Sequence, residues 1–114
     1  NDAQVRHCLE YAFDSYGYVV RTCSDGHEAL NLCRRKPFDY IVTDDEIPGM
    51  NGLELVRRLR VFLPRAIFIG MSCADRGVAF QLAGAHDFRK KPVVPYEIAM
   101  MINGADLGDE VVYE

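Results

Sequence analysis

The feature that most constrains this fold is a regular alternation between short apolar runs and amphipathic segments of about ten residues. The run from Phe38 to Thr43 is almost continuously apolar, as expected for a strand that is buried on both faces. Ala66 to Met71 repeats this pattern, and a segment with helical periodicity follows each run. Strands that alternate with helices favour a parallel sheet joined by right-handed crossovers. The chain is therefore predicted to be α/β, with a doubly wound parallel sheet covered by helices on both faces.

Local signals mark where the helices begin and end. Asp25 and Asn51 each precede a periodic segment and have a glutamate three positions later, the pattern of a helix N-cap. Gly84 ends a short helix that begins near Asp75. The buried stripe of the helix after Asn51 is predicted to be Leu55, Val56, Leu59 and Phe62. The other predicted elements are a helix from Asp2 to Tyr16, strands from Tyr18 to Cys23 and from His86 to Lys90, and a last helix from Pro95 to Gly104.

One strand is missing from the expected order of elements. The pattern begins with a helix, whereas an amphipathic helix that packs on such a sheet normally follows a strand of its own. Either this strand precedes Asn1 in the native protein, or the segment from Glu110 to Glu114, which has a strand-like centre, takes its place. Residues 1–104 are interpreted as the domain and residues 105–114 as an acidic tail or linker.

Composition excludes several classes of function. The chain has 114 residues, enough for one core but not two, and a net charge of -4, which provides no basic field for a nucleic-acid backbone. It has no apolar run of about 20 residues that could span a bilayer and no signal-peptide pattern, so we expect a cytoplasmic protein without direct nucleic-acid or membrane binding. No Cys-x-x-Cys pair occurs, and reduced thiols are expected at Cys8, Cys23, Cys33 and Cys73.

Polar side chains follow three of the predicted strands. Asp44, Asp45 and Glu46 follow one strand, Ser72 follows the next, and Lys91 follows the last. Because ligands of open parallel sheets bind beyond the carboxyl ends of the strands, these residues are expected to meet at one edge. Carboxylates gathered there favour a hard cation such as Mg²⁺. A carboxylate can also attack phosphorus to form an acyl phosphate, whose oxygens Mg²⁺, a hydroxyl and a lysine would neutralise.

Two segments carry a resemblance to a known family. Residues 38–55, Phe-Asp-Tyr-Ile-Val-Thr-Asp-Asp-Glu-Ile-Pro-Gly-Met-Asn-Gly-Leu-Glu-Leu, resemble the phosphoacceptor segment of response-regulator receiver domains. Residues 83–92, Ala-Gly-Ala-His-Asp-Phe-Arg-Lys-Lys-Pro, are similar to the closing segment of that family. The similarity covers nearly the whole chain in order and spacing. It implies the flavodoxin-like receiver fold and a role in two-component signalling.

The resemblance implies a role for each residue at the sheet edge. Asp44 matches the phosphorylated aspartate, and Glu46 matches the position whose backbone carbonyl helps to hold Mg²⁺. Ser72 matches the hydroxyl that hydrogen-bonds the phosphoryl group, and Lys91 matches the lysine of the family. Phe88 matches the aromatic residue whose rotamer follows the phosphorylation state.

The chain also departs from the family pattern. Receivers normally start with an apolar strand and an acidic pair that binds the metal, and this chain begins near the end of that pair. Asp2 is either a remnant metal ligand or the cap of the first helix, and we favour the cap. Ser72 and Lys91 are closer in sequence than is usual, which shortens the helix between them or its leading loop. The Lys91–Pro92 bond is expected to be cis, which fits a tight turn that aims the lysine inward.

Two hypotheses for function remain, and a third is disfavoured. The leading one is a receiver that takes a phosphoryl group onto Asp44 from a histidine kinase or phosphotransfer protein and then switches a contact with an output partner. The alternative, motivated by the missing acidic pair, is a receiver-like interaction module that is no longer phosphorylated. A phosphatase is disfavoured because such enzymes separate two aspartates by one residue, whereas Asp44 and Asp45 are adjacent. No enzyme activity beyond its own phosphoryl transfer and dephosphorylation is expected, and the resemblance allows a homodimer.

Overall fold

The computed structural model describes residues 19–47, 49–93 and 110–113. Within these ranges strands and helices alternate as predicted, and the predicted helices at residues 2–16 and 95–104 lie outside them. None of the helices in these ranges is long and apolar enough to span a membrane. The elements are β1 (Val19–Thr22), α1 (Gly26–Arg35), β2 (Tyr40–Asp44), α2 (Gly52–Phe62), β3 (Ile67–Ser72), α3 (Gly77–Ala83), β4 (Asp87–Lys90) and β5 (Glu110–Tyr113).

The five strands form one parallel sheet in the order β1-β5-β2-β3-β4. The last strand in the sequence, β5, lies between β1 and β2, where Val111 pairs with Val20 on one side and with Tyr40 on the other. The sequence leaves two arrangements open for the missing strand. In the structure, the segment that contains residues 110–113 occupies that position in the sheet. Residues 110–113, interpreted above as part of a tail or linker, therefore form a strand inside the sheet.

The N-caps predicted at Asp25 and Asn51 are confirmed. The Asp25 carboxylate accepts a hydrogen bond of 2.7 Å from the second N–H of α1, and the Asn51 side chain accepts one of 2.9 Å from the N–H of Glu54. The Glu28 carboxylate accepts from the N–H of Ser24, one residue before the cap, at 3.1 Å. The bonds to the Asp25 and Asn51 side chains satisfy donors that the first turn of a helix leaves without an intrahelical acceptor.

The centre of the sheet is buried on both faces, because every residue of β2 and all but the first residue of β3 are buried, whereas most of β4 is exposed. Ile41 and Phe68 belong to the core that the strands share with the three helices, in which α1 packs against α2 and α2 against α3. Neighbouring residues of β2 and β3 alternate to the opposite face, and they are buried as well. These residues are Tyr40, Val42, Ile69 and Met71. The burial predicted from the nearly continuous apolar runs is thus confirmed.

Some predicted details were wrong. Phe62 is 38% exposed, whereas the next residue, Leu63, is buried. Both lie one helical turn beyond Leu59, and the chain leaves the helix at Leu63, so that this side chain and not that of Phe62 turns inward. Strand β2 begins two residues later than predicted and includes Asp44. Helix α3 begins at residue 77 instead of 75 and ends as predicted, because Gly84 adopts a φ of +118°.

The structure describes three of the four cysteines that were predicted to be reduced. Cys23, Cys33 and Cys73 form no disulfide with one another. The side chains of Cys23 and Cys33 are buried, and that of Cys73 is exposed.

Candidate functional site

The candidate site is centred on Asp44, the last residue of β2. Asp44 is buried, at 9% exposure, although a carboxylate is costly to remove from water. The N–H of the following residue, Asp45, donates to the carbonyl oxygen of Met71 at 3.1 Å, which extends the pairing between β2 and β3. The hydroxyl of Thr43 donates to the carbonyl of Asp44 at 3.0 Å. The backbone on both sides of Asp44 is therefore held in place.

Lys91 supplies the cation next to this carboxylate. Its Nζ donates to Oδ2 of Asp44 at 2.7 Å, and the two side chains are only 17% and 12% exposed. The N–H of Lys91 donates to the carbonyl oxygen of Ser72 at 2.7 Å, which continues the pairing between β3 and β4. The Lys91–Pro92 bond is cis, as predicted. Partial burial reduces screening by water, so this ion pair is stronger than one on an open surface.

Ser72 lies at the same edge, at the end of β3. It is 2% exposed, and its Oγ accepts a hydrogen bond of 3.0 Å from the N–H of Ala74. A serine hydroxyl has one donor and two acceptor lone pairs, and this bond uses only a lone pair. The hydroxyl therefore keeps its capacity to donate to an anion.

Gly52, for which no role was predicted, is the first residue of α2. Its N–H donates to the carbonyl oxygen of Asp45 at 2.8 Å, which closes the loop after β2. A Cβ added at this position would overlap the carbonyl oxygen of Asp44. Because a backbone atom occupies the space, only glycine lets α2 begin so close to the candidate phosphoacceptor.

The other predicted residues differ in their relation to this centre. Phe88 is half-buried in β4, two strands from β2 in the sheet, and its ring centroid lies 5.7 Å from that of Phe80 in α3. Phe80 in turn packs on Gly70, where an added Cβ would overlap the Phe80 ring. Glu46 is exposed in the loop that follows Asp44. Asp2 lies outside the described residues.

Arg76 is a second cation that sequence analysis missed. It precedes α3, and its Nε lies 4.0 Å from Oδ2 of Asp45. The sequence offers no signal for this contact, because the path of the loop after Ser72 decides which side the arginine reaches.

The donor atoms at this edge fit part of a magnesium site. Among residues 19–47, 49–93 and 110–113 no group of three His, Cys, Asp or Glu side chains could hold a metal by itself. The Asp44 carboxylate and the Glu46 backbone carbonyl are hard oxygen donors of the kind that Mg²⁺ prefers. Mg²⁺ usually retains several waters and takes one or two carboxylates together with phosphate oxygens. The described donors therefore suit a site that phosphoryl oxygens and water would complete.

The chain is similar to a known protein family and to curated proteins. The family model described as the response regulator receiver domain matches residues 1–103. The transcriptional regulatory protein FixJ of Bradyrhizobium diazoefficiens is 30% identical over 108 residues, which cover 92% of this chain and 53% of that protein. The response regulator MprA of Mycobacterium leprae is 33% identical over 105 residues, 90% of this chain and 46% of that protein. The chain thus spans about half the length of these curated relatives.

Solved structures show the same fold. The receiver domain of the Francisella response regulator 1452 superimposes with a TM-score of 0.83 at 26% identity, and the match covers 90% of this chain and 87% of that one. The predicted α/β receiver fold with a parallel sheet is thereby confirmed.

Proposed function

The chain belongs to the response regulator receiver domain family, and from that premise we propose that Asp44 is the aspartate that accepts the phosphoryl group. The family's role is phosphorylation in two-component signalling. The observation that carries the assignment is the 2.7 Å hydrogen bond from Lys91 Nζ to the Asp44 carboxylate at the carboxyl edge of the sheet. An acceptor carboxylate and a cation for the incoming oxygens are thus already adjacent.

The reaction is a phosphoryl transfer from a phosphohistidine. An oxygen of Asp44 attacks phosphorus, the P–N bond to the imidazole breaks, and the imidazole nitrogen takes up a proton. Lys91 then moves its ammonium group from the carboxylate to a phosphoryl oxygen, where more negative charge has gathered. Asp44 and the Glu46 carbonyl would hold Mg²⁺, which when bound neutralises charge on the transferred oxygens.

The response to phosphorylation runs through Ser72 and the loop that follows it. The Ser72 hydroxyl donates to a phosphoryl oxygen, which draws the end of β3 and the start of α3 toward Asp44. Phe88 responds because its ring packs on Phe80 of α3 and lies against Gly77, where an added Cβ would be 3.4 Å from the ring. The phosphorylated population therefore presents a different surface at α3 and β4.

The partners follow from this role. The donor is a histidine kinase or a phosphotransfer protein, and phosphorylation switches a contact with an output domain or protein, or between two copies of the chain. We propose a cytoplasmic location. Direct contact with nucleic acid is not part of the proposal, because the net charge is -4.

An interaction module that is not phosphorylated is the second candidate. It would apply if the site lacks enough metal ligands, since among the described residues no group of three His, Cys, Asp or Glu side chains could hold a metal ion. Such a module would keep the fold and the Asp44–Lys91 pair but would take up no phosphoryl group.

Intact-mass spectrometry after incubation with Mg²⁺ and acetyl phosphate tests the proposal. We expect one added phosphoryl group on the wild type and on the exposed control Asp75→Asn, and none on Asp44→Asn. A phosphoryl group that persists on Asp44→Asn would place the acceptor elsewhere. No uptake by folded wild-type protein would favour the interaction module.

A further inference from the structure

The Nε–H of Arg76 is a donor that lies close to Asp45, the first residue of the loop after β2. Its side chain as a whole is 43% exposed, yet its Nε atom is buried and has no hydrogen-bond partner within the part of the chain that the structure describes. The atom lies 4.0 Å from Oδ2 of Asp45, too far for a hydrogen bond. A buried donor without an acceptor costs free energy, so an acceptor that binds to this N–H recovers that free energy.

Arg76 and Asp45 belong to two different loops at this edge of the sheet. Arg76 lies in the loop from Ser72 to α3. Asp45 begins the loop after β2, and its N–H and carbonyl are both hydrogen-bonded, to Met71 and to Gly52 respectively. Because the Asp45 backbone cannot move without breaking those bonds, any change in the distance between the two loops requires the loop that carries Arg76 to move.

The charges at this edge change when Asp44 is phosphorylated. In the unphosphorylated protein Lys91 is paired with Asp44, and Arg76 lies beside Asp45. Phosphorylation replaces one carboxylate charge with the larger charge and the three acceptor oxygens of a phosphoryl group. The phosphoryl group is carried by the residue that precedes Asp45 in the sequence, so it adds negative charge and strong acceptors at the edge of the sheet where Arg76 lies.

We propose that Arg76 is a ligand of the phosphoryl group on Asp44. In the unphosphorylated protein it neutralises Asp45, and in the phosphorylated protein its Nε–H donates to a phosphoryl oxygen and draws the start of α3 toward the site. This proposal rests on the proposed function of Asp44 and adds a second path, besides Ser72, from the phosphoryl group to α3.

Beryllofluoride, which mimics a phosphoryl group on a carboxylate, provides the test. The full chain is titrated with it in the presence of Mg²⁺, and the amide signals of Gly77–Ala83 are followed by NMR. We expect Arg76→Gln to weaken binding by about five- to tenfold, the scale of one charge-assisted hydrogen bond at a partly exposed site, and to reduce the shift changes in α3. The control Arg89→Gln removes an arginine that pairs with Asp87 on β4 and should bind as the wild type does.

Arg76→Lys separates a hydrogen bond from simple charge. Lysine keeps the charge but lacks the planar guanidinium and its Nε, so we expect it to restore less than half of the lost affinity. Full recovery in Arg76→Lys, or unchanged binding in Arg76→Gln, would overturn the proposal. Uptake of phosphate from acetyl phosphate is measured on the same proteins. Its absence from folded wild type would remove the proposed function as well, whereas its presence with unchanged Arg76→Gln binding would refute only the role of Arg76.

Discussion

Lys91, which directly follows β4, donates a hydrogen bond of 2.7 Å to Asp44 at the end of β2, across the intervening strand β3. The bond joins residues 47 positions apart in the sequence. It places an ammonium group beside a mostly buried carboxylate before any phosphoryl group arrives. In the proposed reaction the same lysine binds the transferred phosphoryl group, so the pair is in place before transfer begins.

Removing Lys91 should destabilise the fold as well as the phosphorylated state. Lys91→Met leaves the Asp44 carboxylate without this partner, and we expect a loss of about 1–3 kcal/mol in urea unfolding at neutral pH. The exposed neighbour provides the matched control, and Lys90→Met should change stability by about 0.5 kcal/mol or less. Equal effects of the two substitutions would show that the pair contributes no net stability.

Gly52 should tolerate no side chain. In Gly52→Ala the new Cβ meets the carbonyl oxygen of Asp44, so either α2 or the end of β2 must shift. We expect a loss of about 1–3 kcal/mol and slower uptake from acetyl phosphate by intact mass. Gly77→Ala is the control, because its Cβ would meet only the Phe88 ring at 3.4 Å and alanine favours a helix. A fully active, stable Gly52→Ala would contradict the close approach.

The carboxyl-terminal strand should be essential for folding. Val112 pairs with Arg21 of β1 and Ile41 of β2, and proline has no N–H for such a ladder. Val112→Pro should therefore cost about 3 kcal/mol or more in urea unfolding. Val112→Thr retains the N–H and a β-branched side chain and should remain close to wild type. A proline variant as stable as the threonine variant would mean that β5 adds nothing to the sheet.

The sequence was sufficient to predict features that depend on nearby residues or on the rule that parallel strands end at a common edge of the sheet. The caps at Asp25 and Asn51 involve bonds within a few residues, and Asp44 and Lys91 meet because parallel strands end at one edge. The place of β5 could not be decided, because a short apolar segment carries no signal for which strands it will pair with. The contact of Arg76 was missed for a similar reason, since the path of a loop fixes it.

The Glu54 carboxyl group should titrate at lower pH than an ordinary glutamate. The hydrogen bond from Arg58 Nε, at 2.8 Å, is the main reason that the pKa of Glu54 is lowered, and Arg57 adds to it. A pKa that is lower in the folded state gives a stabilisation that is present above the unfolded pKa and lost as the pH falls through the folded one. We expect Arg58→Ala to raise the pKa of Glu54 in a carboxyl NMR titration, and Arg34→Ala on α1 to leave it unchanged.

Ser72→Ala should separate phosphorylation from its conformational effect. Asp44 and Lys91 remain in place in this variant, so intact mass should still show one phosphoryl group after incubation with Mg²⁺ and acetyl phosphate. The hydroxyl that draws the end of β3 toward the phosphoryl group is gone, so the NMR shift changes of α3 and Phe88 should fall by at least half. The exposed neighbour provides the control, and Cys73→Ala should respond as the wild type does. A full response in Ser72→Ala would mean that the signal reaches α3 without Ser72.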